Sequence, residues 1–275
     1  MMTRIITGVC PTAFLAFNLA MGGWVFSTVF MIFLACAMYE MYRAMGQAGH
    51  RVVQWPSWVC IVICVPIFLR YGSVSTLLPL VAGACMLISG VVMFRQEPKL
   101  EDICVSCLPL ICVLLPGMCM VGLQNAQNAP ERAHQLLLTL MAFGVPLMGD
   151  TAAYFIGSRF GKKKLCPAVS PNKSVEGAAA GLIGSMLFGV ILWAIFLMFT
   201  AMPPFWHFLI LGLCGGIAGQ LGDLFASLVK RHCGIKDYGT IFPGHGGVMD
   251  RLDSVFWATV VMYVYLNLNP LPRLM

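Results

Sequence analysis

The chain has 275 residues, of which 59% are hydrophobic and only 10% are charged, and its formal net charge is +6. A soluble domain carries about 25% charged residues. Together with a mean hydropathy of +0.85, this composition excludes an ordinary soluble globular protein. The apolar excess indicates helices in contact with membrane lipids, and no nucleic-acid partner is expected.

Apolar runs long enough to cross a bilayer recur along the chain, since a span needs about 20 residues. None shows the short alternating pattern of a barrel strand. We therefore predict an all-α polytopic membrane protein with about nine transmembrane helices. The predicted spans lie near residues 5–20, 23–39, 57–69, 74–94, 103–123, 135–157, 178–199, 205–228 and 253–268.

Basic residues are distributed unevenly between the predicted loops. With nine spans, every lysine and arginine except Arg4, Arg70 and Arg132 falls on one side. The positive-inside rule makes that side the cytoplasm, so we expect the N-terminus outside and the C-terminus inside. The first apolar run resembles a signal peptide, but it lacks a convincing small-residue cleavage site, and an uncleaved helix is favoured. The expected location is the cell inner (plasma) membrane or an equivalent membrane.

Twelve cysteines invite a disulfide or zinc interpretation, but their positions argue against it. Ten lie inside apolar runs, and Cys166 and Cys233 fall in loops assigned to the reducing cytoplasm. The pair Cys104 and Cys107 forms a CxxC without a second such pair at zinc spacing. Buried cysteine commonly acts as a small hydrophobic residue. We expect neither a disulfide nor a zinc site.

Polar residues divide the chain into two functional halves. Residues 1–135 are predicted to be scaffold helices. Residues 136–275 are predicted to be the catalytic half, with cytoplasmic loops at 158–177 and 229–252. The reason is that charge is costly beside a bilayer, so that its concentration there suggests a functional site.

The first polar patch begins with Asp150, about two turns inside the end of its predicted helix. A bare carboxylate there is costly, so Asp150 needs a cation or a basic partner. Ser174 or Asn172 would cap the next helix, with Glu176 in its first turn. The exposed N–H groups of that helix start, beside Lys173, would suit a phosphate. The alternative is that this segment is a helix cap and no more.

The second patch reads SLVKRHCGIKDYGTIFPGHGGVMDRLD over residues 227–253. Asp223 precedes this patch and, like Asp150, is a carboxylate inside a predicted span that needs a cation or a basic partner. Ser227 lies one helical turn further along on the same face. Asp250 and Asp253 would share a helical face near the membrane exit. Aspartates surrounded by lysines and arginines are typical of a metal–phosphate site, because Mg²⁺ takes one or two carboxylates plus phosphate oxygens.

At these residues the chain resembles the membrane-bound phosphatidate cytidylyltransferases (CDP-diglyceride synthases). The family's signature is Ser-x-apolar-Lys-Arg, then Lys-Asp-x-small, Pro-x-His-Gly-Gly and Asp-Arg-apolar-Asp. It is filled here by Ser227, Lys230, Arg231, Lys236, Asp237, Gly239, Pro243, His245, Gly246, Gly247, Asp250, Arg251, Leu252 and Asp253. A second family motif matches Asp150, Ala153–Gly157 and Ser170–Gly177. Mild departures are Ala152, Ser174 and Ala226, where the family commonly has Gly, Thr and an acidic residue.

The resemblance implies that CTP and phosphatidate react to give CDP-diacylglycerol and pyrophosphate. It implies Mg²⁺ as cofactor. Whether one ion, two ions or a shared monovalent cation binds is left open. Association into a homodimer is also left open. The implied metal ligands are Asp223 and Asp250, with Asp150 and Asp253 as further ligands or supporting partners. The implied catalytic residues are Lys230, Arg231, Lys236, Asp237, His245 and Arg251, and the implied substrate-binding residues are Ser170, Lys173, Ser174, Ser227, Gly246 and Gly247. His245 could equally be a base, a phosphate donor or part of the turn.

Two other functions compete with this interpretation. A CTP-dependent lipid-alcohol kinase of the polyprenol or phytol type would release CDP rather than pyrophosphate. An ion-coupled transporter would use Asp150 and Asp223 as an ion path, which mid-membrane charges on broken helices would favour. Here the charges are concentrated at one face, which favours an enzyme facing the cytoplasm.

Overall fold

The computed structural model describes residues 18, 21–125, 132–241, 244 and 246–268. The helices bounded within these residues are α1 (Gly23–Gln47), α2 (Trp55–Tyr71), α3 (Val74–Met93), α4 (Leu100–Gln124), α5 (Arg132–Phe160), α6 (Val175–Phe196), α7 (Phe205–His232) and α8 (Met249–Leu268). Helix α3 opens with a 3₁₀ turn at Val74–Leu77, and α4 contains a π-helical segment at Leu110–Leu114. Pro109 and Pro116 flank that segment, and proline disturbs the regular helical hydrogen bonds around it.

Six of these helices, α1 and α3 to α7, are long and apolar enough to cross a membrane. They coincide with six predicted spans, so the prediction of a mostly helical, multi-pass membrane protein is confirmed. Helix α2 is apolar but shorter, and α8 carries three charged residues among its first five. The predicted span at 5–20 lies outside the described residues, apart from Asn18. The count of nine spans and their orientation stay predictions.

A β-hairpin between α5 and α6 was not expected from the sequence. Strands β1 (Lys164–Cys166) and β2 (Ser170–Ser174) pair antiparallel. Strands of three and five residues are too short to leave a recognisable alternating pattern. The all-α description is therefore incomplete at this hairpin, which carries Lys173 and Ser174.

Contacts divide the chain into two compact units. Unit 1 contains the described residues of Met1–Gly122 and Lys230–Arg251, and unit 2 those of Leu123–Val229 and Leu252–Met275. The described residues between α7 and α8 (233–241, 244 and 246–248), called here the signature loop, therefore belong to the same unit as the N-terminal helices. The division into a scaffold half and a catalytic half is a functional statement and stays a prediction.

Buried polar contacts hold the helices of unit 1 together. The Tyr42 hydroxyl lies 2.6 Å from Ser57 Oγ and donates to the Ser106 carbonyl at 2.8 Å. Ser106 Oγ in turn accepts from the Val53 amide at 2.9 Å. Since unpaired polar groups are costly in an apolar interior, these bonds fix the register of α1, α2 and α4.

Small residues bring α5 and α6 close together in unit 2. A Cβ on Gly149 would lie 2.6 Å from Ser185 Oγ, and one on Gly177 would lie 2.9 Å from the Ala153 carbonyl oxygen. Ser185 Oγ donates to the Val145 carbonyl at 2.9 Å. Close backbone approach through small residues is the usual way in which membrane helices associate.

Every cysteine in the described part of the chain is a free thiol. Cys60 and Cys64 lie one turn apart on α2, with their Sγ atoms 3.9 Å apart. Cys233 is buried just beyond α7, and burial raises the pKa of its thiol. A protonated thiol behaves as a small apolar side chain.

Candidate functional site

The Lys173 cluster of unit 2 consists of Asp150, Lys173, Asp223 and Ser227. Lys173 Nζ donates a hydrogen bond to Asp223 Oδ2 and forms an ion pair with it. Ser227 Oγ donates to the other oxygen of Asp223 at 3.4 Å, as the one-turn spacing predicted. Asp150 interacts electrostatically with both Asp223 and Lys173. Helix α5, strand β2 and helix α7 therefore bring the first polar patch together with Asp223.

Two structural elements position the Lys173 cluster. The Gln220 side-chain amide donates to the Ala178 carbonyl at 2.9 Å and thereby ties α7 to α6. One turn further along α7, Asp223 is held in reach of the hairpin that carries Lys173. Ser174 ends the hairpin and is the N-cap of α6, and its Oγ accepts from the Gly177 amide at 3.1 Å. Of the two caps predicted for this helix, Ser174 and Asn172, the structure has Ser174.

Glu176, in the first turn of α6, binds the backbone of the segment that follows α5. Its carboxylate accepts from the Lys162 amide at 3.1 Å and from the Lys163 amide at 3.2 Å. The side chain thus fastens the chain that leaves α5 to the start of α6. An acidic side chain at this position is also favoured by the positive end of the helix dipole.

The Lys230 cluster of unit 1 consists of Lys230, Tyr238, Gly246, Gly247 and Asp250. Lys230 Nζ donates to Asp250 Oδ1 at 2.8 Å. Asp250 Oδ2 accepts from the backbone amides of Tyr238 at 2.8 Å and Gly247 at 3.0 Å. Lys230 also lies over the Tyr238 ring, 5.6 Å from its centre. Both oxygens of Asp250 are therefore oriented, and its side chain is only 5% exposed.

Glycine at position 246 is required by the backbone. Gly246 has φ +83°, a left-handed conformation that side-chain-bearing residues rarely adopt. A Cβ there would also lie 2.9 Å from Asp250 Oδ2. The Gly-Gly of the signature therefore lets the backbone wrap around the Asp250 carboxylate.

Glu40 of α1 was not identified from the sequence. Its carboxylate accepts from the Val248 amide at 3.1 Å and the Met249 amide at 2.8 Å, at the start of α8. The residue is 3% exposed. A signal was available, because Glu40 is an acid at the end of a long apolar run, with Arg43 three residues later.

The other predicted residues take varied positions. Arg231, Lys236, Asp237 and Arg251 are exposed, and Ser170 is half-buried on β2. Arg231 Nη1 donates to the Ile235 carbonyl at 3.5 Å. Asp253 is buried, and its Oδ1 accepts from the Ser254 amide at 2.7 Å. His245 and Pro243 lie outside the described residues.

The donor chemistry of both clusters is compatible with magnesium. Mg²⁺ prefers oxygen ligands and is usually held by one or two carboxylates together with substrate phosphates. Asp150 and Asp223 supply two neighbouring carboxylates in unit 2, and Asp250 supplies one in unit 1. In the part of the chain that the structure describes, no three His, Cys, Asp or Glu side chains form a metal-binding group. One or two carboxylates are the number that Mg²⁺ takes when phosphate oxygens complete its coordination.

Paired lysines and aspartates define the chemistry of both clusters. Each lysine supplies a positive charge for phosphate oxygens, and each aspartate supplies an oxygen ligand for a cation. The molecule is thus a multi-pass membrane protein whose polar clusters suit phosphoryl-group chemistry.

Comparison with known proteins identifies the family. The chain belongs to the Cytidylyltransferase family, whose sequence profile matches residues 2–269. It is 29% identical to the phosphatidate cytidylyltransferase of Bacillus subtilis (strain 168), over 98% of each chain. It is 33% identical to the phosphatidate cytidylyltransferase of a Synechocystis species, over 97% of each chain. With the protein of the same name from Staphylococcus saprophyticus it shares 40% identity, over 55% of this chain and 57% of the relative.

Proposed function

We propose that the protein transfers the cytidylyl group of CTP to phosphatidate, giving CDP-diacylglycerol and pyrophosphate for phospholipid biosynthesis. Relatives with the corresponding name match over 97% or more of this chain. The observation that carries the proposal is that the motif residues meet as two ion pairs, Lys173–Asp223 and Lys230–Asp250. Segments that are distant in sequence supply the partners of each pair.

The reaction needs positioning and charge neutralisation. A phosphate oxygen of phosphatidate attacks the α-phosphorus of CTP and forms the new P–O bond. The bond from the α-phosphorus to the bridging oxygen breaks, and pyrophosphate leaves with that electron pair. Because phosphatidate is already a nucleophile, no covalent intermediate on the enzyme is required. Holding two polyanions in line and stabilising the developing charge is sufficient.

Basic side chains would neutralise the two substrates. We assign Lys173, Lys230, Arg231 and Lys236 to phosphate groups of CTP or lipid, helped by the hydroxyls of Ser170, Ser174 and Ser227. Gly246 and Gly247 would present backbone close to a phosphate, and Asp237, His245 and Arg251 complete the proposed catalytic set. Ser174 Oγ already caps α6, so a substrate contact there would be additional to its structural role.

Asp223 and Asp250 are the proposed main ligands of Mg²⁺, with Asp150 as a neighbour of Asp223. When bound, Mg²⁺ supplies positive charge that offsets the repulsion between triphosphate and lipid phosphate. Lys173 donates a hydrogen bond to Asp223, and Lys230 donates one to Asp250. We assign Asp253 a supporting role, because its carboxylate is buried and directed to Ser254.

The proposed topology has nine spans in the cell inner (plasma) membrane or an equivalent one, with the N-terminus outside. The basic loops and both clusters would then face the cytoplasm, where CTP is available. Epitope tags at the two ends should be digested from opposite sides of sealed vesicles. Digestion of both tags from one side would contradict the odd number of spans. Association into a homodimer stays a prediction, which cross-linking in membranes would test.

The deciding experiment is an assay of the purified protein with CTP, phosphatidate and Mg²⁺. CDP-diacylglycerol and pyrophosphate in equal amounts would establish the reaction. Release of CDP together with a phosphorylated lipid alcohol would replace it with the kinase. Absence of both, with ion flux in liposomes, would overturn the enzyme proposal in favour of transport.

A further inference from the structure

Glu40 is a buried carboxylate to which the proposed reaction assigns no role. It lies on α1, far in sequence from the signature loop, yet its two oxygens accept from the consecutive amides of Val248 and Met249. These amides are at the start of α8, where backbone N–H groups have no partner within the helix. Glu40 therefore caps α8 from another helix of the same unit.

The cap is adjacent to the Lys230 cluster. Asp250 follows Met249 directly, and its Oδ2 accepts from Gly247, the residue before Val248. Any movement of the Val248–Met249 backbone would therefore displace Asp250 relative to Lys230. Glu40 is 3% exposed, so it is not available to a substrate in this structure and would act through the turn.

Glu40 also explains two glycines of the signature. A Cβ on Gly247 would lie 2.6 Å from Glu40 Cδ, and one on Gly239 would lie 2.9 Å from the same atom. Both distances are too short for non-bonded carbons. The carboxylate thus occupies the space in which side chains at 239 and 247 would lie, at two separate positions of the signature loop.

We propose that Glu40 is a positioning residue that holds the Gly247–Met249 backbone, with Gly239 beside it, so that Asp250 and Lys230 are aligned for cytidylyl transfer. The inference rests on the proposed function, because alignment matters only if this loop performs the chemistry. Two backbone N–H groups, of Val248 and Met249, point at the Glu40 side chain. A carboxylate suits this position because it offers one acceptor oxygen to each of them.

Glu40→Gln is the first test, since it keeps the shape and replaces one acceptor oxygen by an NH₂ donor. One backbone amide then loses its acceptor. We expect kcat to fall about 10- to 100-fold, as for partners that orient catalytic groups. The KM for CTP should change much less. Glu97→Gln, an exposed acid on the same unit, is the matched control and should leave kcat unchanged.

Hydrogen exchange provides a readout that is independent of activity. In Glu40→Gln, the amides of Val248 and Met249 should exchange at least about tenfold faster, with peptides of α2 and α3 unchanged, because only local opening is promoted. Uniformly faster exchange, or a variant that does not fold, would show a general structural role and overturn the proposal.

A double-mutant cycle tests the geometry directly. Gly247→Ala should be strongly damaging alone, but it should cost much less in the Glu40→Ala background, where the space is free. Additive effects would contradict the proposed contact. If wild-type protein produces no CDP-diacylglycerol, the proposed function fails by itself. If it is active and Glu40→Gln matches it in kcat and exchange, the positioning role alone fails.

Discussion

Lys230 and Asp250 lie twenty residues apart in sequence, and their side chains meet at 2.8 Å. The pair joins the end of α7 to the start of α8 and encloses the signature loop. Two backbone amides hold the second oxygen of Asp250, so that the carboxylate has one orientation. A charged group with all its partners in place needs little rearrangement during a reaction, which is the arrangement that electrostatic catalysis requires.

Asp250→Asn should reduce kcat at least about 100-fold, because it removes the charge that pairs with Lys230 and that would bind a cation. The amide keeps the volume but leaves the nearly buried Lys230 ammonium without its charged partner, so the melting temperature should also fall. Steady-state assays with CTP and phosphatidate, together with thermal unfolding, would measure both. Substantial activity in a folded Asp250→Asn protein would exclude Asp250 from the metal and catalytic roles.

Lys173→Met should lower kcat/KM for CTP roughly 10- to 100-fold, a loss of about 1.4–2.8 kcal/mol. The variant removes a positive charge from phosphate and leaves Asp223 without its lysine partner. Lys99→Met, at an exposed lysine on unit 1, controls for the loss of a basic residue. Equal losses in the two variants would show that net charge, not the Lys173 cluster, is responsible.

Ser174→Ala separates capping from substrate binding. Loss of the bond to the Gly177 amide should destabilise the protein by about 1 kcal/mol, the usual contribution of an N-cap. Ser174→Thr should keep the cap and the stability. If the KM for CTP also rises in Ser174→Ala but not in Ser174→Thr, the hydroxyl serves both roles. An unchanged melting temperature in Ser174→Ala would argue against the cap.

Gly246→Ala and Gly244→Ala form a matched pair. Both glycines have positive φ, +83° and +76°, so alanine at either position has a conformational cost of about 1–2 kcal/mol. At Gly246 the new Cβ approaches Asp250, whereas at Gly244 no atom of the described residues lies within 4 Å of it. We therefore expect the loss of kcat to be at least about tenfold greater for Gly246→Ala. Equal losses would indicate strain alone.

Much of the fold was predictable from local sequence. The six span-length helices coincide with predicted apolar runs, because the bilayer sets both the length and the composition of a span. The helix start near Ser174 was also predictable, because an N-cap depends only on residues that are close in sequence. The hairpin at Lys164–Ser174 was not, because its short strands form through pairing and not through an alternating pattern.

The sequence by itself determined the membrane class, the motif residues and their family, since hydrophobic length and motif spacing are local properties of the chain. Only the tertiary structure decided which residues meet. Lys173 reaches Asp223 across fifty positions, and Glu40 reaches Val248 across 208. The physical reason is that a buried charge must find its partner wherever packing brings one. The residues next to a charged side chain in sequence therefore do not reveal which residue will be its partner.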